Sequence, residues 1–221
     1  MLKQITSNKE RLINLIILSF VGAGYTLINF LLQYNAPYPS VNMSWENHIP
    51  FVSWMIFPYL SYFTMALFVF TLHHTREKLA IYMFQLLFVA FITYSIFILL
   101  PYQNAFTRPE ETYTGIKHLL FTLLNQDLPY NQLPSFHISY SLLYALIVIN
   151  YTQYTWLKIL SGFWFIVICL SVLVLFQHHF LDIFTAILLV VSTILLSHNK
   201  WVENKVYKTY VLIWSFGKKK G

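Results

Sequence analysis

His178 and Asp182 stand four residues apart in a run otherwise dominated by apolar side chains. On a helix that begins near residue 178, positions i and i+4 share one face about one turn apart. A carboxylate beside an imidazole holds it in one tautomer and stabilises its cation. The other ring nitrogen then becomes a directed nucleophile or base. The competing structural role is an interfacial His-His pair with Asp182 capping the helix. His179 fits that role better, because it points about 100° away from the His178–Asp182 face.

A second grouping is Pro134-Ser135-Phe136-His137. Pro134 stops any upstream helix, and Ser135 is a suitable N-cap for the one that follows. A helix N-terminus offers free N–H groups and a positive dipole, so Ser135, the backbone after it and His137 can converge on an anion such as phosphate. An ordinary cap beside a buried histidine is the simpler alternative. Arg108-Pro109 is the third piece, since a guanidinium binds phosphate bidentately. Lys117 has a weaker claim to the same task. The pair His73-His74 reads as interfacial.

The elements that must position these residues lie in a membrane. Of the 221 residues, 57% are hydrophobic and 10% charged, against about a quarter charged in soluble chains, which excludes a water-soluble enzyme. The single cysteine, Cys169, excludes a disulfide framework. A crossing helix needs about 20 mostly apolar residues. Six stretches are expected to span: 12–32, 52–72, 79–100, 137–156, 159–176 and 180–197. The chain thus reads as all-α, a single six-transmembrane helix domain over 1–221. The first apolar run follows Lys3, Lys9 and Arg11 as in a signal peptide. It continues to Leu32, past the roughly 7–15 residues of an h-region, and so reads as a retained anchor.

Orientation follows from Lys and Arg, which favour the cytoplasmic side. With both termini inside, twelve of the 14 basic residues face the cytoplasm, the tail Lys218–Lys220 among them. Only Arg108 and Lys117 face the periplasm, lumen or exterior. That asymmetry accounts for the net charge of +6 without nucleic acid as a partner. Two outer segments are long, 33–51 and 101–136, and loops of such length are usually functional or disordered. Thr114–Leu124 reads as an amphipathic helix at the interface. Arg108, Ser135, His137, His178 and Asp182 therefore fall on one membrane face, where function is expected.

With these residues in place, the chain resembles the type 2 phosphatidic acid phosphatase superfamily along nearly its whole length. The first motif of that family, K-x-x-x-x-x-x-R-P, survives as Arg108-Pro109 with Pro101 at the Lys position. The second, P-S-G-H, is Pro134-Ser135-Phe136-His137. The third, S-R-x-x-x-x-x-H-x-x-x-D, runs from Ser171 through His178 to Asp182 with Val172 at the Arg position. The stretch His178-His179-Phe180-Leu181-Asp182-Ile183 is also similar to the H-H-Y-x-x-D-V form of sphingomyelin and inositol-phosphorylceramide synthases. Residues 50–62 look like that branch too, although an interfacial Trp-Tyr belt explains them as well.

The resemblance implies a membrane phospholipid substrate and catalysis by His178, His137 and Asp182. His178 would attack phosphorus, Asp182 orient it, and His137 protonate the leaving oxygen. Arg108, Ser135 and backbone N–H groups would bind the phosphate, with Lys117 replacing missing charge. No cofactor is implied. His137, His178 and Asp182 form a conceivable zinc set, but H-E-x-x-H is absent and no metal is expected. Water as acceptor makes a lipid phosphatase, the first reading. An alcohol acceptor makes a phosphotransferase, which a site poor in cations would suit. The alternative of another class is a non-catalytic transporter. A transport path would spread polar residues along several spans, whereas here they gather at one face.

Overall fold

Eight α-helices and no β-strand occur among the described residues of the computed structural model, which are 5–72, 74–109 and 112–216. Five helices are long and apolar enough to cross a membrane. They are α1 (Asn8–Leu32), α2 (Ile56–Thr71, continuous with the 3-10 turn Ser53–Met55, which brings the span to 19 residues), α3 (Arg76–Leu99), α6 (Thr155–Val174) and α7 (Phe180–Ser197). Each agrees with an expected span within four residues at either end. Large apolar side chains such as Phe20, Phe91, Phe163 and Leu195 point outward from four of them, as a lipid solvent allows.

The expected span 137–156 differs. It is α5 (Phe136–Tyr151), whose 16 residues rise about 24 Å at 1.5 Å each, less than the roughly 30 Å hydrocarbon core. This helix is central: α2, α3, α6 and α7 all pack on it, and eleven of its residues are buried. Enclosed by four neighbours along its sides, it need not match the bilayer in length. The expected amphipathic segment is α4 (Gly115–Leu124), with Phe121 and Leu124 turned inward and Ile116, Leu119 and Leu123 exposed.

At one end of the bundle, the start of α1 is tied to the α2–α3 turn. Ser7 and Glu10 form a capping box, and Glu10 lies 2.7 Å from Arg76. Thr6 donates to the His74 carbonyl at 3.0 Å through both N–H and Oγ1. His74 itself, expected at the interface, does not face outward. It is buried, with Nε2 3.2 Å from the Val69 carbonyl and its ring edge-on to Tyr82 and Tyr151. His73, Lys3 and Lys218–Lys220 lie outside the described residues.

Beyond the last expected span the chain continues as α8 (Lys200–Phe216), which is not among the helices apolar enough to span. Val206, Tyr210 and Trp214 recur every fourth residue and pack on the core. Asn14 donates to Tyr210 Oη at 3.0 Å, holding α8 at the same end as the α1 start.

The opposite end is where α2, α5 and α7 begin and α3 and α6 finish. Two backbone bonds stitch it: Val52 N–H to the Val174 carbonyl (2.9 Å) and Ser135 N–H to the Asp182 carbonyl (3.1 Å).

Candidate active site

His178 precedes its helix, although the spacing suggested a place within it. Helix α6 ends in a Schellman turn: Phe176 N–H bonds the Leu173 carbonyl (3.0 Å) and Gln177 N–H the Val172 carbonyl (2.9 Å). The left-handed residue of that turn is Phe176 (φ 55°), where glycine is usual. Such a conformation costs a bulky residue about 1–2 kcal/mol. Stacking on Phe106 (4.7 Å between centroids) and on Phe51 (5.4 Å) offsets it. The Val172 carbonyl also accepts from His178 N–H at 3.2 Å, so the turn delivers His178 onto the first turn of α7.

Asp182 then performs two tasks. Its Oδ2 accepts from His179 N–H at 2.8 Å, capping α7, and lies 3.3 Å from His178 Nδ1. The pair is sealed, at 2% and 0% exposure. Gln132, with its amide oriented to its acceptors, donates to the same oxygen (3.3 Å) and to the Gln177 carbonyl (3.0 Å). His178 Nε2 makes no protein hydrogen bond among the described residues, which leaves it as the nitrogen available for chemistry.

Ser135 caps α5 as expected, its Oγ accepting from Ile138 N–H at 3.3 Å. The residue is fully buried. Because its N–H bonds the Asp182 carbonyl, the start of α5 is fixed to the start of α7. That places His137 with its ring centroid 6.0 Å from that of His178. His137 Nε2 lies 3.0 Å from Tyr59 Oη, while its buried Nδ1 has no partner. Tyr25 and Tyr62 lie edge-on to the same ring at 5.8 and 5.3 Å.

Arg108 approaches from the loop after α3. Its Nε donates to the Leu175 carbonyl (3.2 Å) and its Nη1 to Asn125 Oδ1 (2.7 Å), and it faces the amide of Gln177 beside His178. Burial lowers the guanidinium value, opposed by Tyr59, Asp127 and Tyr113. Lys117 is not brought to the cluster. Its Nζ is engaged by Ser53 Oγ at 2.6 Å and lies over the Tyr113 ring. His179 is a further departure: it does not snorkel to the surface but is fully buried, with Nδ1 3.3 Å from Glu46 Oε2 and Nε2 accepting from Ala105 N–H at 3.1 Å.

The loop carrying Arg108 also covers the site. Asn104 Nδ2 donates to the Phe176 and Gln177 carbonyls (2.8 and 3.1 Å), and Phe106 lies on the His179 ring. Two cavities flank the cluster. One, about 680 Å³, is lined by Arg108 and Asn125; the other, about 640 Å³, by His137, Tyr59 and Asp127. His178 lines neither. No group of three metal-ligating side chains converges among the described residues.

Tyr59, Glu46 and Asp127 carry no signature in the sequence. Tyr59 sits in a stretch explained equally by an aromatic belt, and the two carboxylates sit in long polar loops. The only available signal is Tyr59 and Tyr62 at i, i+3, which share a helix face. No protein-family model, curated protein or solved structure matches this chain.

Proposed function

We propose that this protein is a six-span membrane enzyme that cleaves a phosphoric ester of a lipid through a phosphohistidine, acting as a lipid phosphatase. The observation that carries the reading is His178 between a sealed carboxylate, 3.3 Å from Nδ1, and a second imidazole, His137, whose Nδ1 is unpartnered. Support also comes from the placement of this cluster at the bundle end opposite Glu10 and Arg76, since basic residues favour the cytoplasmic side. In this reading both termini are cytoplasmic and the site opens to the periplasm, lumen or exterior.

In the first half-reaction His178 Nε2 attacks phosphorus, and the bond from phosphorus to the ester oxygen breaks. His137, which takes up a proton as the anionic substrate binds, holds Nε2–H on Tyr59 and gives its Nδ1 proton to the departing alcohol. Asp182 stabilises the imidazolium formed on His178. Arg108 and backbone N–H groups offset charge on the phosphoryl oxygens, the usual largest contribution in such chemistry. Ser135 contributes by fixing His137, since its own hydroxyl is occupied as a cap. In the second half-reaction water attacks phosphorus and loses a proton to His137, and the P–N bond electrons return to His178.

One observation favours a second reading, transfer to an alcohol. Val172, at the position of a phosphate-binding Arg in the family this chain resembles, is fully buried, and its carbonyl holds the Gln177 and His178 N–H groups. No cation comes from there, so the site suits a monoanionic diester better than a dianionic monoester.

One experiment separates these readings. Protein in nanodiscs is incubated with a panel of ³²P-labelled phospholipids, with and without alcohol acceptors, and quenched at high pH, where a histidine phosphoramidate survives. A phosphatase traps bare phosphate regardless of alcohol; a transferase traps a headgroup diester and stalls without alcohol. Trapping in His178→Ala at wild-type levels removes the nucleophile. No product from any ester returns the choice to a non-catalytic membrane protein.

A further inference from the structure

Asp127 is an acidic side chain at the wall of a mainly apolar cavity. The cavity, about 640 Å³, has the size of sites that hold small molecules. Phe30 from α1, Phe63 from α2 and Leu123 from α4 line it, and all three are also exposed on the outside of the bundle. The cavity therefore runs to the lipid-facing surface between α1 and α2. Small residues, Gly22 and Ala23, make the gap on the α1 side.

Its inner wall is polar. Asn29 Nδ2 donates to Asp127 Oδ1 at 2.8 Å, and Tyr25 Oη to Oδ2 at 3.2 Å. A carboxylate accepts about four hydrogen bonds, so capacity remains for a ligand donor. Tyr25 joins this wall to the catalytic cluster, its hydroxyl on Asp127 and its ring edge-on to His137. His137 lines the same wall. Neither Arg108 nor Ser135 lines this cavity. It meets the group assigned to proton transfer and avoids the groups assigned to phosphate. A carboxylate there repels a second anion and attracts a donor.

We infer that this cavity holds the alcohol half of the ester, an amphiphile carrying an ammonium or hydroxyl group beside the ester oxygen, with Asp127 taking that donor as the specificity-determining residue. This rests on the catalytic reading above for the identity of the bound half, although the site itself is testable without turnover. The chain lies between Phe30, Phe63 and Leu123, and the ester oxygen faces His137.

The test uses full-length His178→Ala protein in nanodiscs, which does not turn over, and diazirine-tagged probes: 2-amino-1-dodecanol, 1,2-dodecanediol and 1-dodecanol. After irradiation, adducts are mapped by mass spectrometry. The amino alcohol and the diol should label residues 22–30 and 123–128, and adding Asp127→Asn should cut that labelling at least fivefold, with plain dodecanol unchanged. Asparagine retains an acceptor for Tyr25 and Asn29, and thermal unfolding checks the fold. As a second variant, Gly22→Leu adds bulk where a Cβ meets nothing within 4 Å, and should reduce labelling by all three probes. Equal labelling with and without Asp127→Asn, or adducts confined to other helices, would overturn the site. Cavity labelling by the donors without turnover of any phosphate ester by wild type would support the site and reject the catalytic reading instead.

Discussion

Glu46 and His179 meet with Oε2 3.3 Å from Nδ1, both fully buried, and this contact ties the loop before α2 to the first turn of α7. Glu46 is fully engaged: it accepts from Met43 N–H (2.6 Å) and from Phe180 N–H. His179 is held below the ordinary imidazole value by burial, against the pull of Asp182 and Glu46. It is therefore neutral at pH 7, with Nε2 accepting from Ala105 and the proton on Nδ1 facing Glu46.

Removing Glu46 strands buried donors. Glu46→Ala is expected to destabilise by about 1–3 kcal/mol, the cost of an unsatisfied buried group, with Glu46→Gln milder. His179→Ala should likewise lower the unfolding temperature while sparing phosphorus loading per folded molecule. His178→Ala should abolish loading. Thermal unfolding in micelles and ³²P trapping on the same samples separate the two histidines; equal loss of loading in both variants would contradict their division of labour.

Among the described residues, Tyr59 is the one hydroxyl bonded to His137. Tyr59→Phe removes a hydrogen bond of about 1–1.5 kcal/mol, so turnover should fall about tenfold. Steady-state rates across pH provide the check, and an unchanged kcat would detach Tyr59 from proton transfer.

Asp127 offers a test by pH. Burial, foremost, raises its carboxyl above the ordinary 3.8, opposed by the charge of His178, the bonds from Tyr25 and Asn29, and the charge of Arg108. A raised folded value means that stability present below the unfolded pKa is lost as pH rises through the folded one. Asp127→Asn does not titrate. Its unfolding temperature relative to wild type should therefore rise from about pH 4 and level off once the wild-type carboxyl has ionised. A gap independent of pH would mean that Asp127 is unperturbed.

The two outer cations should behave differently. Arg108→Ala is expected to cut kcat/KM at least about a hundredfold, as loss of a charge-stabilising donor does. Lys117→Ala, whose amine is engaged by Ser53, should stay within about twofold, a change of under 0.5 kcal/mol. A large effect at Lys117 would show that it swings into the site during turnover.

Hydropathy alone located the five long helices and α4, because lipid demands unbroken apolar runs and satisfied backbones. It also located Ser135 as a cap and the His178–Asp182 pair, since both are local: one residue before a helix, or one turn of spacing. The short α5 was legible as apolar, but its central position was not, because enclosure by four neighbours is a property of the packed bundle. Helix α8 escaped because its apolar face is only every fourth residue, Val206, Tyr210 and Trp214, among charges. Tertiary structure alone decided the rest. His178 and His179 are adjacent in sequence, yet one faces Asp182 and the other Glu46, because the Schellman turn and the α7 cap orient them separately. Pairings such as Glu46–His179, Tyr59–His137 and Tyr25–Asp127 join distant loops and helices, and no spacing rule encodes which polar side chains share a buried volume when the bundle closes.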